Sequence, residues 1–322
     1  MKTLEFEPST LPWIDRDDFE GTLAGRQKSG LVDTELAQSL GRWRDDGFLV
    51  CRGLVPTEML DALLEDVERV WRDRPELQAL VEGRGVVDLD QLPARAEIGN
   101  HHYRLLDLQD ASGPARDVIL STGILRFIGA VFGDVPVAMQ SLYFEYGSEQ
   151  GTHQDFPYVH ARVPSHLIGC WVACEPVDET SGPLFYYPGS HRLPKFDWGN
   201  GELLFDNEDP AKNDAFQAYL EEACERAGLE KVAFHPEKGD VVFWHAALVH
   251  GGSPALDSER TRRSLVVHYS SRSGYPRDRR SPHQPPKIYE QNGGRLYLRQ
   301  KQAATGKIRG KVQAVLRRLR GS

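Results

Sequence analysis

Residues 137–146 read Val-Ala-Met-Gln-Ser-Leu-Tyr-Phe-Glu-Tyr, a run of β-branched and aromatic residues that is typical of a β-strand. A turn-forming segment, Gly147-Ser-Glu-Gln-Gly151, follows and leads to His153-Gln-Asp155. Because positions i and i+2 of a strand face the same side, these two side chains can converge on one point. The stretch therefore predicts an imidazole and a carboxylate at the mouth of a sheet.

A later segment supplies a second histidine. Residues 239–250 read Gly-Asp-Val-Val-Phe-Trp-His-Ala-Ala-Leu-Val-His, which indicates a turn, an apolar strand and then His250. Two imidazoles and one carboxylate, without a fourth protein ligand, suit a ferrous ion that keeps coordination positions open. A single His-x-Asp pair is expected by chance in a chain with 11 His, so the interpretation depends on the conjunction with His250.

A third segment adds a cation. Residues 262–269 read Arg-Arg-Ser-Leu-Val-Val-His-Tyr and predict another strand. A guanidinium holds a carboxylate well through two parallel hydrogen bonds. Arg262 is therefore a candidate for binding the far carboxylate of a 2-oxo acid whose other end chelates the metal.

These segments resemble the phytanoyl-CoA dioxygenase superfamily of non-haem iron, 2-oxoglutarate-dependent oxygenases. The likeness spans roughly residues 45 to 270. It is carried by four stretches: Asp46 to Pro56, Met139 to Asp155, Trp171 with Ser181 to His191, and Gly239 to Gly251 with Arg262 and Tyr269.

The resemblance implies a role for each residue of the motifs. His153, Asp155 and His250 would be the iron ligands and the catalytic triad, and Arg262 would anchor 2-oxoglutarate. Many relatives carry His-Gly-Ser at the distal histidine, where the hydroxyl helps to bind this co-substrate. Here a second glycine intervenes and the serine is Ser253, which we keep as a candidate for the co-substrate site.

Two further residues are candidates for the co-substrate site. Gln140 lies on the strand that leads to the metal motif, and Trp171 is expected to line the pocket or to be an ordinary core tryptophan. Arg263 adjoins Arg262, and alternation along a strand sends the two side chains to opposite faces. Arg262 fits the family spacing to Tyr269 better, so we interpret Arg263 as a solvated or ion-paired residue.

The order of predicted elements indicates an α+β fold. Helices come first and short strands follow, which predicts a double-stranded β-helix (a jelly-roll, cupin-like barrel) with the N-terminal helices packed on one sheet. We expect one oxygenase domain over residues 1–322. Its expected parts are an irregular arm at 1–30, a mainly helical support at 31–135, a jelly-roll core at 136–270 with an insertion or lid at 192–238, and a basic tail at 271–322.

Individual boundaries follow from caps and apolar spacing. Asp33 is predicted to cap one helix and Thr57 a second, and a third apolar stretch surrounds residues 124–131. The predicted strands are 137–146, 166–174, 184–187, 241–249 and 262–270.

Composition argues against a membrane-spanning protein, a secreted protein and a cysteine-based metal or redox protein. The chain of 322 residues is 40% hydrophobic and 27% charged, which is ordinary for a globular protein, and it has no apolar run long enough to span a membrane. The N-terminus lacks an apolar signal core, and the four cysteines show no metal or redox spacing. We therefore expect a cytoplasmic protein with reduced thiols.

Charge is distributed unevenly along the chain. Residues 271–322 hold 14 Lys and Arg against 2 Asp and Glu, whereas the whole chain has a net charge of −8. Residues 307–320 predict a basic amphipathic helix, which we expect to pack on the acidic body or on a second subunit, with contact to an anionic membrane surface as the alternative. The acidic body argues against nucleic-acid binding. Assembly into a homo-oligomer is a further possibility that the sequence leaves open.

The resemblance implies the reaction. Oxygen and 2-oxoglutarate would be consumed with release of succinate and carbon dioxide, while a C–H bond of a small metabolite is hydroxylated. The carboxylate of Asp155 occupies the position that halogenases of the family leave small, so hydroxylation is expected. Two alternatives stay open: an inactive jelly-roll scaffold protein, and a cupin-type enzyme that uses another divalent metal.

Other polar residues carry weaker expectations. His101, His102 and Arg104 are candidates for anchoring an acidic substrate, although we favour a solvated polar turn. His191 in a Pro-Gly-Ser-His turn is expected to support that turn. His245 is out of phase with the ligand histidine that follows it, so we do not make it a ligand.

Overall fold

The computed structural model describes residues 3–98, 103–199, 201–205, 211–275 and 287–299. The helices of these ranges are α1 (Phe19–Lys28), α2 (Thr34–Asp46), α3 (Thr57–Asp73), α4 (Arg95–Ile98), α5 (Gly113–Ile119), α6 (Thr122–Phe132) and α7 (Ala211–Arg226). The strands are β1 (Thr3–Leu4), β2 (Phe48–Cys51), β3 (Gln78–Val81), β4 (Gly85–Asp88), β5 (Tyr103–Leu106), β6 (Pro136–Phe144), β7 (Ile168–Ala173), β8 (Leu184–Tyr186), β9 (Lys195–Phe196), β10 (Val232–Phe234), β11 (Val241–His245), β12 (His250–Gly252), β13 (Ser264–Ser271), β14 (Lys287–Gln291) and β15 (Gly294–Leu298).

Two sheets, antiparallel except for one pair of strands, form the framework of the site. The major sheet has the strand order β2-β11-β7-β13-β6-β5-β3-β4, and β15 joins β6 in parallel with β14 at its side. The minor sheet has the order β10-β8-β12. Strand-to-strand pairing does not close a barrel among the described residues, so the jelly roll is a pair of separate sheets.

Helices cover the outer face of the major sheet. Leu40, Leu63 and Ile128, from α2, α3 and α6, are fully buried in one apolar cluster with Cys170 and Phe243 of the sheet. The Asp33 side chain accepts a hydrogen bond from the Leu36 amide and caps α2 as predicted. Thr57, in contrast, is the first residue of α3 rather than its cap. The α+β class and the packing of helices on one sheet are confirmed.

The interior lies between the two sheets. Phe144, Trp171 and Val266 of the major sheet pack in one cluster with Leu184 and Phe234 of the minor sheet. Side chains alternate along each strand, so the residues between the sheets and those under the helices come from neighbouring positions. All five predicted strands are present, except that the stretch 241–249 ends as a strand at His245.

The prediction of an irregular arm at 1–30 is wrong. This segment contains α1, and Trp13 stacks on Phe19 with ring centroids 5.6 Å apart. The indole of Trp13 also donates a hydrogen bond of 2.9 Å to the Ala130 carbonyl of α6. The helix was missed because Phe19 is the only residue that α1 buries, so its sequence has no apolar period.

The segments called helical support and basic tail both contribute strands to the major sheet. Within 31–135, β2 pairs with β11, and the hairpin of β3 and β4 pairs with β5. Within 271–322, β14 and β15 form a hairpin whose turn residues Asn292 and Gly293 both have positive φ. Asn-Gly between strands is a strong hairpin signal that the sequence did contain. The predicted basic helix at 307–320 lies outside the described residues.

The insertion at 192–238 is only partly separate from the jelly roll. Its last strand, β10, pairs with β8 and forms one edge of the minor sheet. Its helix, α7, buries Phe216 and Leu220 in a cluster with Val249, the residue before His250. None of the helices in the described ranges is both long and apolar enough to cross a bilayer.

The Pro-Gly-Ser-His turn supports its surroundings as expected. The Ser190 hydroxyl accepts a hydrogen bond of 2.8 Å from the Val249 amide, and the His191 ring lies 3.1 Å from the Arg44 carbonyl. Burial, followed by the nearby His245, lowers the pKa of His191 from 6.5 to about 2.

Acid will destabilise the fold through His191. Below about pH 6.5 the unfolded chain binds a proton at His191 and the folded chain does not, so stability falls as the pH falls. We expect the free energy of unfolding of the metal-free protein to drop by about 1.6 kcal/mol between pH 6.5 and 5 from this group alone. Urea titrations across this range check it. His191→Gln should flatten the pH dependence and the exposed His235→Gln should not; an unchanged slope in His191→Gln would contradict the assignment.

Candidate metal centre

His153 and His250 are held side by side by the backbone. They form an antiparallel bridge with amide-to-carbonyl hydrogen bonds of 2.9 and 3.0 Å, and their ring centroids lie 4.3 Å apart. His250 opens β12, so the bridge extends the minor sheet to the loop that carries the His-x-Asp motif. Residues far apart in the sequence thus meet through ordinary strand pairing.

The two ring nitrogens of each histidine differ in their contacts. The Nδ1 atom of His153 lies 2.8 Å from the Gly151 carbonyl, and that of His250 lies 3.0 Å from the Leu248 carbonyl. Because a carbonyl only accepts, both Nδ1 atoms carry the proton, and both Nε2 atoms keep a lone pair. Such a hydrogen bond is the usual way in which a ligand histidine is oriented.

Asp155 completes the cluster. Its Oδ1 atom lies 3.7 Å from the Nε2 atoms of both histidines, and one ligand atom from each of the three residues lies within 4.8 Å of the others. No other group of this kind occurs among the described residues. The predicted triad therefore converges, and its free donor atoms face one point.

The second carboxylate oxygen of Asp155 is occupied by the protein. Its Oδ2 atom accepts a hydrogen bond of 2.6 Å from the Trp244 indole and lies 3.1 Å from Nε2 of His268. Nδ1 of His268 in turn lies 3.2 Å from the amide nitrogen of Gln140, with which His268 pairs across β6 and β13. These contacts orient the carboxylate so that Oδ1 alone is presented to the two histidines.

Electrostatics keep His153 and Asp155 in their ligating forms. Burial by itself would raise the pKa of Asp155, but electrostatic interaction with the His268 and His250 rings and the hydrogen bond from His268 lower the pKa well below its usual range. Burial, followed by the proximity of His250, lowers the pKa of His153 from 6.5 to about 3. A carboxylate and a neutral imidazole are the forms that bind metal ions.

A glycine makes room for the Trp244 indole. A Cβ atom on Gly169 of β7 would lie only 2.0 Å from the Trp244 ring, because the two residues are paired across β7 and β11. Gly169 therefore allows the indole to lie flat on the neighbouring strand and to reach Asp155. Trp244 and His268 were not predicted as site residues. Strand alternation could have indicated both, because each lies an even number of positions along its strand from a residue that packs between the two sheets.

Arg262 is a fully buried cation between the two sheets. Its guanidinium carbon lies 5.8 Å from the ring centroids of both Phe144 and Trp171, and Nη1 donates a hydrogen bond of 2.8 Å to the Gly182 carbonyl. Its Nε atom is buried and has no hydrogen-bond partner among the described residues. Burial, followed by the charge of Arg104, lowers the pKa of Arg262 to about 10, so it remains a cation at neutral pH.

The adjacent Arg263 has a structural role. Its Nε atom lies 3.0 Å from Oε1 of Glu145, a buried carboxylate that Arg95 also contacts. Both arginines precede β13, which begins at Ser264 rather than at residue 262. As expected, the two side chains separate, one into the interior and the other into an ion pair.

The other predicted co-substrate residues occupy different surroundings. Trp171 adjoins Arg262, and its buried indole nitrogen is unpartnered among the described residues. The backbone of Ser253 lies against Gly182, whose carbonyl binds Arg262. Gln140 contacts His268, so its observed role is to support the Asp155 network.

The structure also places His245 and the insertion at 192–238 relative to the triad. His245 faces away from the triad and lies 3.4 Å from the Asp15 carboxylate, as its phase along the strand predicted. His101 and His102 lie outside the described residues. The insertion borders the metal centre, because Gln217 of α7 lies against Gly151, two residues before the first histidine.

Comparison with known proteins identifies related sequences. A family model described as phytanoyl-CoA dioxygenase (PhyH) matches residues 43–264. The chain is 25% identical to the peroxisomal phytanoyl-CoA dioxygenase of Mus musculus and 26% identical to that of Homo sapiens, each over 246 residues that cover 71% of this chain and 66% of the relative. It therefore spans slightly less than two thirds of the length of these relatives. It is 26% identical to an ectoine dioxygenase of Bordetella bronchiseptica over 284 residues, which cover 82% of this chain and 86% of the relative.

Solved structures share the fold at low sequence identity. EctD from S. alaskensis with 2-oxoglutarate and 5-hydroxyectoine has a TM-score of 0.56 and 16% identity, covering 76% of this chain and 78% of that chain. The non-heme alpha ketoglutarate dependent epimerase SnoN from nogalamycin biosynthesis has a TM-score of 0.55 and 19% identity, covering 83% of this chain and 99% of that chain.

Proposed function

The chain belongs to the phytanoyl-CoA dioxygenase family, and from this premise we propose that it is an iron(II)- and 2-oxoglutarate-dependent dioxygenase that hydroxylates a small metabolite. The observation that carries the proposal is the convergence of three free donor atoms, from His153, Asp155 and His250. Two imidazoles and one carboxylate on one side of an ion leave its other positions open for the co-substrate and oxygen.

The residues present fit both groups. His153 Nε2, His250 Nε2 and Asp155 Oδ1 would hold the iron, while the unpartnered Nε of Arg262 would bind the far carboxylate of 2-oxoglutarate. A buried guanidinium without a counter-charge is costly, so an anionic ligand would relieve that cost. When bound, iron and 2-oxoglutarate supply the oxidation, in which oxygen is consumed, a C–H bond is hydroxylated, and succinate and carbon dioxide leave.

The chain's own residues prepare this chemistry. Phe144 and Trp171 pack around Arg262 and would exclude water from a carboxylate held there. Trp244 and His268 hold Asp155 in one orientation, so the ligand atoms need little rearrangement when a metal arrives. The α7 helix at the Gly151 turn restricts which molecules approach from that side.

The state of the cysteines supports a cytoplasmic location. All four cysteines are free thiols, and three of them are buried, which fits a reducing compartment. Neither membrane attachment nor a particular oligomeric state is part of the proposal.

Metal and co-substrate binding test the proposal directly. Protein freed of metal by a chelator should bind one ferrous ion per chain under anaerobic conditions, and should then bind 2-oxoglutarate. Admission of oxygen should release succinate in an iron-dependent manner. Metal uptake that is insensitive to 2-oxoglutarate would favour a cupin-type enzyme with another metal. Absence of metal uptake and of succinate would favour a scaffold protein.

Removal of the Trp244 indole donor will weaken metal binding. In Trp244→Phe the Oδ2 atom of Asp155 loses its shortest hydrogen bond, and the carboxylate becomes freer to rotate. Loss of an outer partner of a metal ligand typically costs 10-fold to 100-fold in affinity, so we expect an iron dissociation constant about tenfold higher. Competition with a fluorescent chelator measures it.

Two variants sharpen this test. Gly169→Ala should weaken metal binding similarly, because its Cβ displaces the indole without removing it. Trp43→Phe is the matched control, since that buried indole nitrogen has no partner among the described residues. Equal metal affinities in Trp244→Phe and Trp43→Phe would refute the role given to the hydrogen bond.

A further inference from the structure

The insertion at 192–238 contacts both chain segments that carry the metal ligands. Its described parts are residues 192–199, 201–205 and 211–238, and α7 is the longest element among them. One ligand segment runs from Gly151 to Tyr158, and the other ends at His250. Each contact lies within three residues of a ligand, although the insertion supplies no member of the triad.

The first contact is made on the residue that orients His153. A Cβ atom on Gly151 would lie 2.8 Å from Oε1 of Gln217, so the backbone at Gly151 passes directly against this side chain of α7. The Gly151 carbonyl is also the group that lies 2.8 Å from Nδ1 of His153. The turn that sets the direction of the first ligand is therefore a contact surface of α7.

The second contact is made by Tyr158, three residues after Asp155. Its hydroxyl donates a hydrogen bond of 2.8 Å to Oδ1 of Asn213 in α7, and its ring centroid lies 5.3 Å from that of Phe205. The Tyr158 amide donates a hydrogen bond of 3.0 Å to the Asp155 carbonyl, so this tyrosine closes a turn that begins at the ligand. The Phe205 amide adds a bond of 2.9 Å to the Pro157 carbonyl.

The third contact involves the segment that leads to His250. Val249, the residue before this ligand, is buried in one apolar cluster with Phe216 and Leu220 of α7. In the described part of the chain, every other buried member of this cluster comes from the insertion itself. Val249 thus joins the second ligand segment to the core of the insertion.

The two ligand segments are consequently held from two sides. They are joined directly by the bridge between His153 and His250, and α7 connects them again through Gly151 and Val249. Donors that are already held at the right spacing lose less conformational entropy when an ion binds. Coupling between two parts of a protein is reciprocal, so a helix that raises metal affinity is itself stabilised by the metal.

We propose that the insertion is a positioning element of the metal centre, in which α7 and Tyr158 hold the ligand segments, so that metal binding and the docking of α7 are coupled. This coupling rests on the proposed function only in requiring that the triad binds a divalent ion. Tyr158 is a positioning residue, because it acts through the turn at Asp155 and adds no ligand. The insertion thereby affects the affinity and geometry of the site in addition to bordering its entrance.

Amide hydrogen exchange tests the coupling without any substitution. The probe is Co²⁺, added in excess to chelator-treated protein, because its visible absorption reports both the occupancy and the geometry of its ligands. Exchange in α7 should slow by about tenfold relative to exchange in α3, a helix on the outer face of the major sheet, as is usual for coupled sites. Slowing that is confined to the two ligand segments, or that is equal in α7 and α3, would overturn the proposal.

Two tyrosines provide matched variants. Tyr158→Ala should raise the dissociation constant of Co²⁺ by about tenfold and change its visible absorption. Tyr158→Phe keeps the ring and loses only the bond to Asn213, so the loss should be about threefold. Tyr219→Phe is the control, because its hydroxyl donates to the Pro194 carbonyl within the insertion, and it should bind Co²⁺ as the wild type does.

A merely structural role gives a different result. Tyr158→Ala would then lower the urea midpoint of the metal-free protein while Co²⁺ affinity and absorption stayed at their wild-type values, and the proposal would be wrong. Equal losses of affinity in Tyr158→Ala and Tyr219→Phe would also refute it, because only the first tyrosine joins the insertion to a ligand segment.

The same measurements separate this inference from the proposed function. If the wild type takes up Co²⁺ but exchange in α7 does not respond, or if Tyr158→Ala binds the ion normally, the insertion has no positioning role and the triad stands. If the wild type takes up no Co²⁺, the metal centre itself is wrong, and the proposed function fails together with the coupling.

Discussion

Asp155→Ala will lose iron binding by at least about 100-fold and will reduce succinate formation to background. The substitution removes the only anionic ligand of the triad and leaves two neutral imidazoles, whose affinity for a ferrous ion is low. It also strands the indole of Trp244 and the ring of His268, each of which loses its acceptor at Oδ2. The effect should exceed that of Trp244→Phe, because a ligand is lost rather than its support.

Iron affinity measured by chelator competition, together with succinate measured by chromatography, checks this prediction. Asp178→Ala, at an exposed carboxylate that caps a turn, is the control and should match the wild type in both measurements. An Asp155→Ala protein that is folded by circular dichroism and still forms succinate at more than a few per cent of the wild-type rate would exclude the triad as the catalytic centre.

Arg262→Gln will raise the dissociation constant of 2-oxoglutarate by about 100-fold while leaving iron binding within a few-fold of the wild type. The guanidinium supplies the charge for a buried, charge-assisted pair, and such bonds are worth about 1.5–3 kcal/mol each. Glutamine ends at the position of the Arg262 Nε atom, so the Gly182 carbonyl loses its donor, but the change also removes a buried charge, and these two effects on stability oppose each other. Arg262→Lys retains the charge but not the two-pronged geometry, and we expect an intermediate loss.

Anaerobic calorimetry with iron and 2-oxoglutarate gives both constants. Arg263→Gln is the matched control, because that neighbouring arginine is engaged with Glu145 rather than with the interior. Its co-substrate affinity should stay close to the wild-type value, although its stability will fall. Arg262 would be excluded as the anchor if its substitution left 2-oxoglutarate binding unchanged, or if Arg263→Gln produced the larger loss.

The triad could be predicted because it depends on local rules. His153 and Asp155 are two positions apart in the loop after β6, where His153 bridges to His250, and His250 follows soon after an apolar strand. Arg262 was separated from Arg263 by alternation and by resemblance to the family. In each of these cases the information lies within a few residues of the side chain concerned.

The support around Asp155 could not be predicted in the same way. His268 reaches Oδ2 through its register against Gln140, and that register shifts between His268 and Tyr269. A one-residue shift in pairing sends every following side chain to the other face, and no local pattern reports it. Similarly, α1 buries a single residue, so its sequence shows no apolar period from which a helix could be predicted. The hairpin of β14 and β15, in contrast, had a local signal in Asn292-Gly293, and the prediction of a basic tail from composition did not use it.

Peptide hydrogen bonds, rather than an ion, set the separation of His153 from His250. The backbone therefore fixes the spacing of the two imidazoles for whichever first-row divalent cation would bind, and the general order of affinity ranks ferrous iron below cobalt, nickel and copper. We therefore expect the supply of metal ions in the cell to contribute to discrimination among metals. Protein recovered over a nickel-charged resin will carry nickel, and its apparent inactivity will be reversed by stripping and anaerobic reloading.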